Sequence, residues 1–319
     1  MPQVQATARE SAAPVAFDRP LRSARIDRAR PERPPGLVLL QACRPAQWVK
    51  NALVVIAPAA AGVLGKAVVT SEVLATFVAF CLLSSATYLL NDVRDREQDR
   101  RHPRKRNRPV ASGALSPVRA LRAALVLGSL GLMISVLVRP AVALVALCYL
   151  GLTTSYSLWW RQVVVIDLFA VAGCFLLRAI AGGVAVDVRL SRSFLIVTSA
   201  CALLLVAGKR YAEMRDARAR AATRATLARY SAGFLRAVIA AAALLACIAY
   251  ARWAFTRPEE GPWLELSMVP FAIWLGRYCM MLAAGAGQAP ERLILRDRAL
   301  LGLAGFWAAL FFGGVYAWP

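Results

Sequence analysis

The sequence predicts an all-α integral membrane protein, a bundle of nine transmembrane helices. Hydrophobic residues make up 59% of its 319 residues and the mean hydropathy is +0.54, whereas soluble domains are about 45–50% apolar. The apolar residues fall in runs long enough to cross a hydrocarbon core of roughly 30 Å. The formal net charge of +21 is concentrated between these runs. This composition excludes a soluble globular enzyme, and despite the basic balance we expect no nucleic-acid partner.

Residues 1–36 are predicted to form a disordered basic N-terminal tail that precedes a membrane domain at 37–319. The tail contains seven arginines and six prolines but few large apolar residues, which is too little apolar surface to bury a core. No apolar segment follows the early charges, so the stretch does not resemble a secretory signal peptide. We expect it to lie near anionic membrane lipid.

The membrane domain divides into nine apolar segments of about 17–23 residues, the length of a membrane-spanning helix. In chain order they cover 45–64, 71–91, 117–138, 140–158, 163–183, 193–210, 232–253, 264–284 and 299–317. The first segment is amphipathic at its start, where Arg44, Gln47 and Lys50 interrupt the apolar pattern.

The distribution of positive charge predicts the orientation. With a cytoplasmic N-terminus, thirty of the 39 lysines and arginines fall on the cytoplasmic side and six on the other, as the positive-inside rule requires. The two long charged connections, 92–116 and 209–231, are both on the cytoplasmic side. Long connections are commonly functional. We therefore expect a multi-pass cell-membrane protein whose active-site cavity opens to the cytoplasmic face.

An acidic motif follows the second span directly, with the sequence Asn91-Asp92-Val93-Arg94-Asp95-Arg96-Glu97-Gln98-Asp99. If the helix continues, Asp92, Asp95 and Asp99 share one face at about 100° per residue. Mg²⁺ prefers oxygen ligands and shares one or two carboxylates with substrate phosphates. The motif therefore indicates a Mg²⁺ site, although a solvated helix end paired with nearby arginines fits the same residues equally well.

A basic segment comes next, with four cations within residues 104–108. Lysine and arginine bind phosphate oxygens through charge-assisted hydrogen bonds. Anchoring on the cytoplasmic side explains these cations as well, but it does not explain the acids beside them. Acids and cations together favour a polyanionic substrate.

These two segments read N-D-x-x-D-x-x-x-D at 91–99 and R-x-R-P-x-x-S-G at 106–113, and they closely resemble the first signature of the UbiA-type membrane prenyltransferase superfamily. The resemblance covers roughly residues 36–319 and implies a nine-helix enzyme with a cytoplasmic Mg²⁺ site. Typical members transfer a polyprenyl group from its diphosphate to an aromatic acceptor, using a second D-x-x-x-D motif after span six. Here only Glu213 and Asp216 are acidic in that segment, which puts a second metal site in question.

The segment K-R-Y-A-E at 209–213, together with R-P-x-Q-W-x-K-N at 44–51, resembles the decaprenyl-phosphate phosphoribosyltransferase subgroup of actinobacteria. That resemblance implies transfer of 5-phosphoribose from phosphoribosyl pyrophosphate to a polyprenyl phosphate, with release of pyrophosphate. The product is the lipid-linked precursor of cell-wall arabinan. One acidic motif with several cations suits the phosphates of both substrates.

The resemblance and the residue types together give the expected site. The expected catalytic residues are Asp92, Asp95 and Glu213, and the expected Mg²⁺ ligands are Asp92, Asp95 and Asp99. The expected substrate-binding residues are Lys50, Asn51, Asn91, Arg104, Lys105, Arg106, Arg108, Tyr156, Asp167, Lys209, Arg210 and Tyr211. Asp167 and Arg178 are ionisable residues within span five, where such residues are functional by default; Asp167 is expected to join the site and Arg178 to pair with another helix.

Two other functions stay open on the sequence alone. An aromatic prenyltransferase with an altered second motif is the alternative within the superfamily. A transporter or a lipid-binding membrane protein is the alternative from another class, although the paired halves typical of transporters are not visible. The sequence also leaves open the length of the acceptor chain and whether the protein is a homo-oligomer.

Overall fold

The computed structural model describes residues 34–103, 105–220, 230–256, 262–285 and 290–317. The chain is helical throughout these ranges, which contain no β-strand, and the predicted all-α class is confirmed. The predicted basic tail lies outside the described residues apart from its last three positions. The domain division after residue 36 therefore stays a prediction.

The described ranges contain twelve α-helices. They are α1 (Pro35–Cys43), α2 (Leu53–Ala60), α3 (Ala67–Arg94), α4 (Arg96–Arg101), α5 (Pro117–Val138), α6 (Pro140–Leu158), α7 (Ile166–Ala185), α8 (Arg192–Arg220), α9 (Ala232–Phe255), α10 (Trp263–Ala283), α11 (Pro290–Arg296) and α12 (Arg298–Phe312). Short 3₁₀ helices cover Pro45–Ala52, Lys105–Asn107 and Trp160–Gln162, and a π-helical turn at Gly313–Ala317 follows α12.

Within the described residues, eight helices are long and apolar enough to cross a membrane: α3, α5 to α10, and α12 with its π-helical turn. These eight match the second to ninth predicted spans. The predicted first span, 45–64, is instead a 3₁₀ helix followed by the short α2. The left-handed backbone conformation of Arg44 (φ 56°) before Pro45, where the α conformation is disfavoured, separates α1 from the 3₁₀ helix. The predicted span differs because residues 45–52 are 3₁₀ and α2 ends at Ala60.

Helix starts follow ordinary capping chemistry. Ser116 precedes Pro117, and its hydroxyl accepts a hydrogen bond from the Arg119 amide at 3.4 Å. Ser231 accepts a hydrogen bond from the Phe234 amide at 3.0 Å in the same way at the start of α9. Serine at the N-cap satisfies an amide that has no partner within the helix, which fixes where these two spans begin.

The two most buried of the eight spans are α3 and α7, and they carry three of the buried ionisable residues, Asp92, Asp167 and Arg178. Helix α2 packs against α7 so closely that a Cβ at Gly182 would lie 1.7 Å from the carbonyl oxygen of Val54. Only glycine permits this approach. The contact holds the 3₁₀ helix before α2 against the centre of the bundle, next to the candidate site.

Candidate active site

The acidic motif occupies the end of α3 and the whole of α4. The expected continuous helix is interrupted at Asp95, where α3 has ended and α4 has not yet begun. Asp92 and Asp99 are both buried, 1% and 2% exposed, and they approach the same guanidinium group. Asp95 accepts a hydrogen bond from Arg161 at 2.7 Å instead. The structure thus brings together two of the three predicted metal ligands and pairs the third elsewhere.

Cations from distant parts of the chain neutralise this motif. Asp92 Oδ1 accepts hydrogen bonds from Arg44 and from Arg108 Nη1, the latter at 3.2 Å. The same Arg108 nitrogen lies 2.6 Å from Asp99 Oδ2, and Lys105 Nζ lies 3.8 Å from Asp99 Oδ1. Burial lowers the pKa of the Arg44 guanidinium from its ordinary value, and the Asp92 carboxylate opposes that change.

One carboxylate oxygen at this motif has no hydrogen-bond partner among the described residues. Asp92 Oδ2 is buried and accepts no hydrogen bond from the described residues, and an unsatisfied buried acceptor is costly. No group of three or more His, Cys, Asp or Glu in the described part of the chain could hold a metal by itself. Two carboxylates with an open oxygen nevertheless fit Mg²⁺, which takes one or two protein carboxylates and completes its shell with phosphate and water.

A second charged cluster joins α6, α7 and α8. Arg210 donates from Nε and Nη2 to the two oxygens of Asp167, at 2.6 and 2.8 Å, and from Nη1 to Glu213 at 2.7 Å. Tyr156 donates its hydroxyl to Asp167 at 2.7 Å and accepts a hydrogen bond from Arg210 at 3.2 Å. Four of the five N–H donors of Arg210 are therefore used within the protein.

A charged cavity of about 370 Å³ lies beside this cluster. Its polar lining residues are Lys50, Tyr156, Lys209, Arg210 and Glu213, and its apolar lining residues are Val171, Phe175, Leu205, Val206 and Ile294. The two lysines come from different segments, the 3₁₀ helix before α2 and the middle of α8. Two ammonium groups around one cavity suit a phosphorylated ligand.

An apolar cavity of about 200 Å³ adjoins the charged one and shares Phe175 and Leu205 with it. Aromatic side chains make up much of its wall: Phe194, Tyr250, Trp253, Phe271, Trp307 and Phe311. The two cavities together can accommodate an amphiphile with a phosphate at one end and a hydrocarbon chain at the other.

Two predicted substrate-binding residues are placed in the packed interior instead. Asn51 is fully buried and accepts a hydrogen bond from Arg178 Nε at 2.7 Å while donating to Ser84 at 3.3 Å. Tyr211 is 8% exposed and belongs to the hydrophobic core. Both side chains are used in packing and hydrogen bonding within the protein, and their predicted contact with substrate stays a prediction. Arg178 pairs with another element, as expected.

The other predicted substrate-binding residues differ in position. Lys105 and Arg108 lie against the acidic motif, Asn91 is half-buried beside it, and Arg106 is exposed. Arg104 lies outside the described residues. Sequence reasoning assigned no site role to Arg44 or Arg161, although both are partners of the motif. The signal for Arg44 was its presence in the R-P-x-Q-W-x-K-N segment.

The structure combines several apolar helices, paired acids and arginines, and a charged cavity beside an apolar one. These features are typical of membrane enzymes that act on phosphorylated lipids. The model of the UbiA prenyltransferase family matches residues 52–308, and the chain belongs to that family. The recognition made from the two motifs is confirmed.

Relatives within the family carry a more specific description. The decaprenyl-phosphate phosphoribosyltransferase of Mycobacterium tuberculosis (strain H37Rv) is 42% identical over 279 residues, which cover 85% of this chain and 92% of the relative. The protein of the same description from Corynebacterium glutamicum is 40% identical and covers 88% and 87%. A UbiA homologue from Archaeoglobus fulgidus bound to GPP and Mg²⁺ has the same fold, with a TM-score of 0.65 at 15% identity, covering 88% of this chain and 98% of that one.

Proposed function

We propose that the protein transfers 5-phosphoribose from phosphoribosyl pyrophosphate to a polyprenyl phosphate, such as decaprenyl phosphate, and releases pyrophosphate. The observation that carries the proposal is the second cluster. Where a typical family member needs a second pair of aspartates for a prenyl diphosphate, Arg210 holds Asp167 and Glu213 in a closed set of hydrogen bonds. The relatives at 40–42% identity point to the same activity.

Asp92 and Asp99 are the residues that would hold Mg²⁺, through the open Oδ2 of Asp92 and the carboxylate of Asp99. When bound, the ion supplies Lewis-acid stabilisation of the leaving pyrophosphate. Asp95 keeps Arg161 at the edge of the motif. Lys105 lies next to Asp99 and adds positive charge on the side from which a diphosphate would approach.

Lys50 and Lys209 line the charged cavity from two different helices and bind phosphate there. Glu213 also lines the cavity, and only its Oε2 is held by Arg210. Its second oxygen accepts a hydrogen bond from a ribose hydroxyl and faces the positive charge that develops on the sugar. A lipid phosphate oxygen forms the new bond to ribose C1 as the bond from C1 to the pyrophosphate oxygen breaks. The attacking phosphate is already anionic, so this step needs no general base.

The apolar cavity takes the first isoprenoid units of the acceptor. Trp253, Trp307 and Phe311 line it and Phe175 connects it to the charged cavity, so the lipid phosphate enters the charged cavity beside Lys50, and Lys209 is left for a phosphate of the sugar donor. Burial of the hydrocarbon chain contributes about 0.8 kcal/mol for each CH₂ group. The lipid is thus held mainly by its tail, and the sugar donor mainly by charge.

The active site and the N-terminus face the cytoplasm in this proposal, because positive charge is concentrated on that side. Single cysteines introduced at positions 104 and 218 should react with a membrane-impermeant maleimide only after the cells are opened. A cysteine at position 188 should react in intact cells. The reverse pattern would overturn the orientation.

The activity is tested with purified protein in lipid nanodiscs, supplied with labelled phosphoribosyl pyrophosphate, Mg²⁺ and decaprenyl phosphate. We expect a labelled lipid and an equal amount of pyrophosphate. A parallel reaction contains a polyprenyl diphosphate and an aromatic acid. A prenylated aromatic product without a phosphoribosylated lipid would overturn the proposal in favour of an aromatic prenyltransferase. For the Lys209→Ala variant of the charged cavity, Lys66→Ala is the matched control, because Lys66 is an exposed lysine just before α3 and does not line the cavity.

A further inference from the structure

A single nitrogen of Arg108 connects the two carboxylates of the acidic motif. Arg108 Nη1 lies 2.6 Å from Asp99 Oδ2 and 3.2 Å from Asp92 Oδ1. Arg44 also donates to Asp92 Oδ1. The groups proposed to hold Mg²⁺ are therefore already paired with two guanidinium groups, and any metal ion must share the carboxylates with them.

Charge balance makes this sharing unfavourable unless an anion joins. Asp92 and Asp99 are almost fully buried, so they require positive charge beside them in every state of the protein. A divalent ion bound at Asp92 Oδ2 would lie within a few ångströms of both arginines, and like charges at such distances repel strongly in a partly buried site. A diphosphate that binds the ion and an arginine together removes this repulsion.

Arg108 has the donors for that second partner. Its contacts with described residues all use Nη1, so its Nε and Nη2 groups are left for another acceptor, and its side chain is 29% exposed. A guanidinium group binds phosphate oxygens in a two-point geometry. Arg210 differs on both counts, because its side chain is 10% exposed and most of its donors are used.

We propose that Arg108 exchanges partners during binding: it holds Asp92 and Asp99 together without metal, and it moves to the donor diphosphate when metal binds. Metal and diphosphate consequently bind as a coupled pair, and each binds weakly without the other. The inference rests on the proposed function only in that the ligand carries a diphosphate. It does not depend on which group is transferred.

The test measures two affinities of the full chain in nanodiscs, with Mn²⁺ and inorganic pyrophosphate as probes. The first is the affinity for Mn²⁺ alone, read from the electron paramagnetic resonance signal of the free ion. The second is the affinity for labelled pyrophosphate at a fixed free Mg²⁺ concentration. Arg108→Gln should bind Mn²⁺ about tenfold more tightly than the wild type and pyrophosphate at least tenfold more weakly. These opposite signs are the signature of partner exchange.

Arg101→Gln is the matched control, because Arg101 is an exposed arginine at the end of α4 and makes no contact with Asp92 or Asp99. It removes the same formal charge and should change both affinities less than twofold. Equal Mn²⁺ affinity in Arg108→Gln and Arg101→Gln would overturn the proposal, as would weaker Mn²⁺ binding in Arg108→Gln. If Arg108→Gln does not fold, the same two affinities are measured for Arg108→Lys. Its retained charge should keep Mn²⁺ binding weak while pyrophosphate affinity falls at least fivefold, and unchanged pyrophosphate affinity would overturn the proposal.

The proposed function and the proposed partner exchange can be contradicted independently of each other. A protein that couples Mn²⁺ and pyrophosphate as described, yet forms no phosphoribosylated lipid, would retain the partner exchange and lose the proposed donor. A protein that makes the lipid product but shows no coupling would retain the function and lose the exchange.

Discussion

The acidic motif at the end of α3 and the Arg210 cluster on α8 contain the same kinds of side chain but use them differently. In the motif, Asp92 keeps one oxygen without a partner among the described residues, and Arg108 makes its contacts through one nitrogen. In the cluster, Arg210 donates four hydrogen bonds to Asp167, Glu213 and Tyr156. The motif therefore keeps unused hydrogen-bonding capacity, whereas the hydrogen bonds of the cluster are nearly all made within the protein.

The difference teaches that the number of charges does not identify a ligand site. Both regions place acids beside arginines near the same end of the bundle, and the sequence pattern assigned phosphate or metal contacts to both. Unused hydrogen-bonding capacity separates them, because a buried group without a partner is costly until a ligand supplies one. We therefore assign the metal and the diphosphate to the motif, and we assign to Arg210 and Asp167 the role of positioning Glu213.

The largest expected effect is the loss of Asp92. Asp92→Asn should lower turnover about 1000-fold, since the bound ion supplies several kcal/mol of transition-state stabilisation. The measurement is the rate of formation of phosphoribosylated lipid, with folding checked by gel filtration. Glu97→Gln removes an exposed acid of the same motif that pairs with Arg100, and it should retain wild-type turnover. Full activity of the wild type in EDTA would contradict the assignment of a metal ion to the motif.

Breaking the cluster should affect stability first. Asp167→Asn leaves the Arg210 guanidinium buried without its main counter-charge, which costs about 3–5 kcal/mol for a buried pair. Thermal unfolding in detergent should show this loss, and the double variant Asp167→Leu with Arg210→Met should recover part of it. If Asp167→Asn keeps its stability and instead loses affinity for donor, the cluster is a ligand site and the comparison fails.

Lys209 lies next to the cluster and tests the cavity itself. Lys209→Ala should raise the KM for the sugar donor roughly 10- to 150-fold, as expected for a charge-assisted phosphate contact of about 1.5–3 kcal/mol. The KM for the lipid should change much less, because its chain is held by apolar residues. Initial rates at varied donor and varied lipid separate the two values. A defect confined to lipid saturation would move Lys209 to the acceptor side.

The smallest expected effect concerns a third pair of acid and arginine, Arg277 with Asp297 at 2.7 Å. This hydrogen bond and that from the Leu300 amide lower the pKa of Asp297 to about 2. Because the pKa is lowered on folding, its contribution to stability is present above the ordinary value of 3.8 and is lost as the pH falls toward 2. At neutral pH Asp297→Asn should lower the melting temperature by less than about 2 °C. A larger shift would show that even this partly exposed pair contributes strongly to the stability of the fold.

Eight of the nine predicted spans match long apolar helices of the described residues, because each is an apolar run with clear ends. The first predicted span differs, because residues 45–52 form a 3₁₀ helix and α2 ends at Ala60. One continuous helix was predicted through the acidic motif, whereas α3 ends before Asp95 and α4 begins after it. A break at one residue leaves the local hydrophobic pattern unchanged, so no periodicity could have predicted it.

The candidate site was predictable as a set of residue types but not as a set of pairs. Asn51 follows the cavity-lining Lys50 in the sequence, yet its side chain accepts a hydrogen bond from Arg178, which is 127 residues away. Arg44 and Asp92 are separated by 48 residues, and Arg210 and Asp167 by 43. These partners are brought together by the packing of the 3₁₀ helix before α2 against α3 and α7, and of α8 against α7, and a local sequence motif does not encode these long-range contacts.

The number of Mn²⁺ ions bound per chain tests the distinction between the two regions most directly. It should be measured by electron paramagnetic resonance at saturating pyrophosphate, in the wild type, Asp92→Asn and Glu213→Gln. We predict one specifically bound ion in the wild type, none in Asp92→Asn and one in Glu213→Gln, because Asp92 has a buried oxygen without a partner among the described residues, whereas Arg210 already neutralises Asp167 and Glu213. Two ions in the wild type, with one of them lost in Glu213→Gln, would contradict the account and make the Arg210 cluster a second metal site.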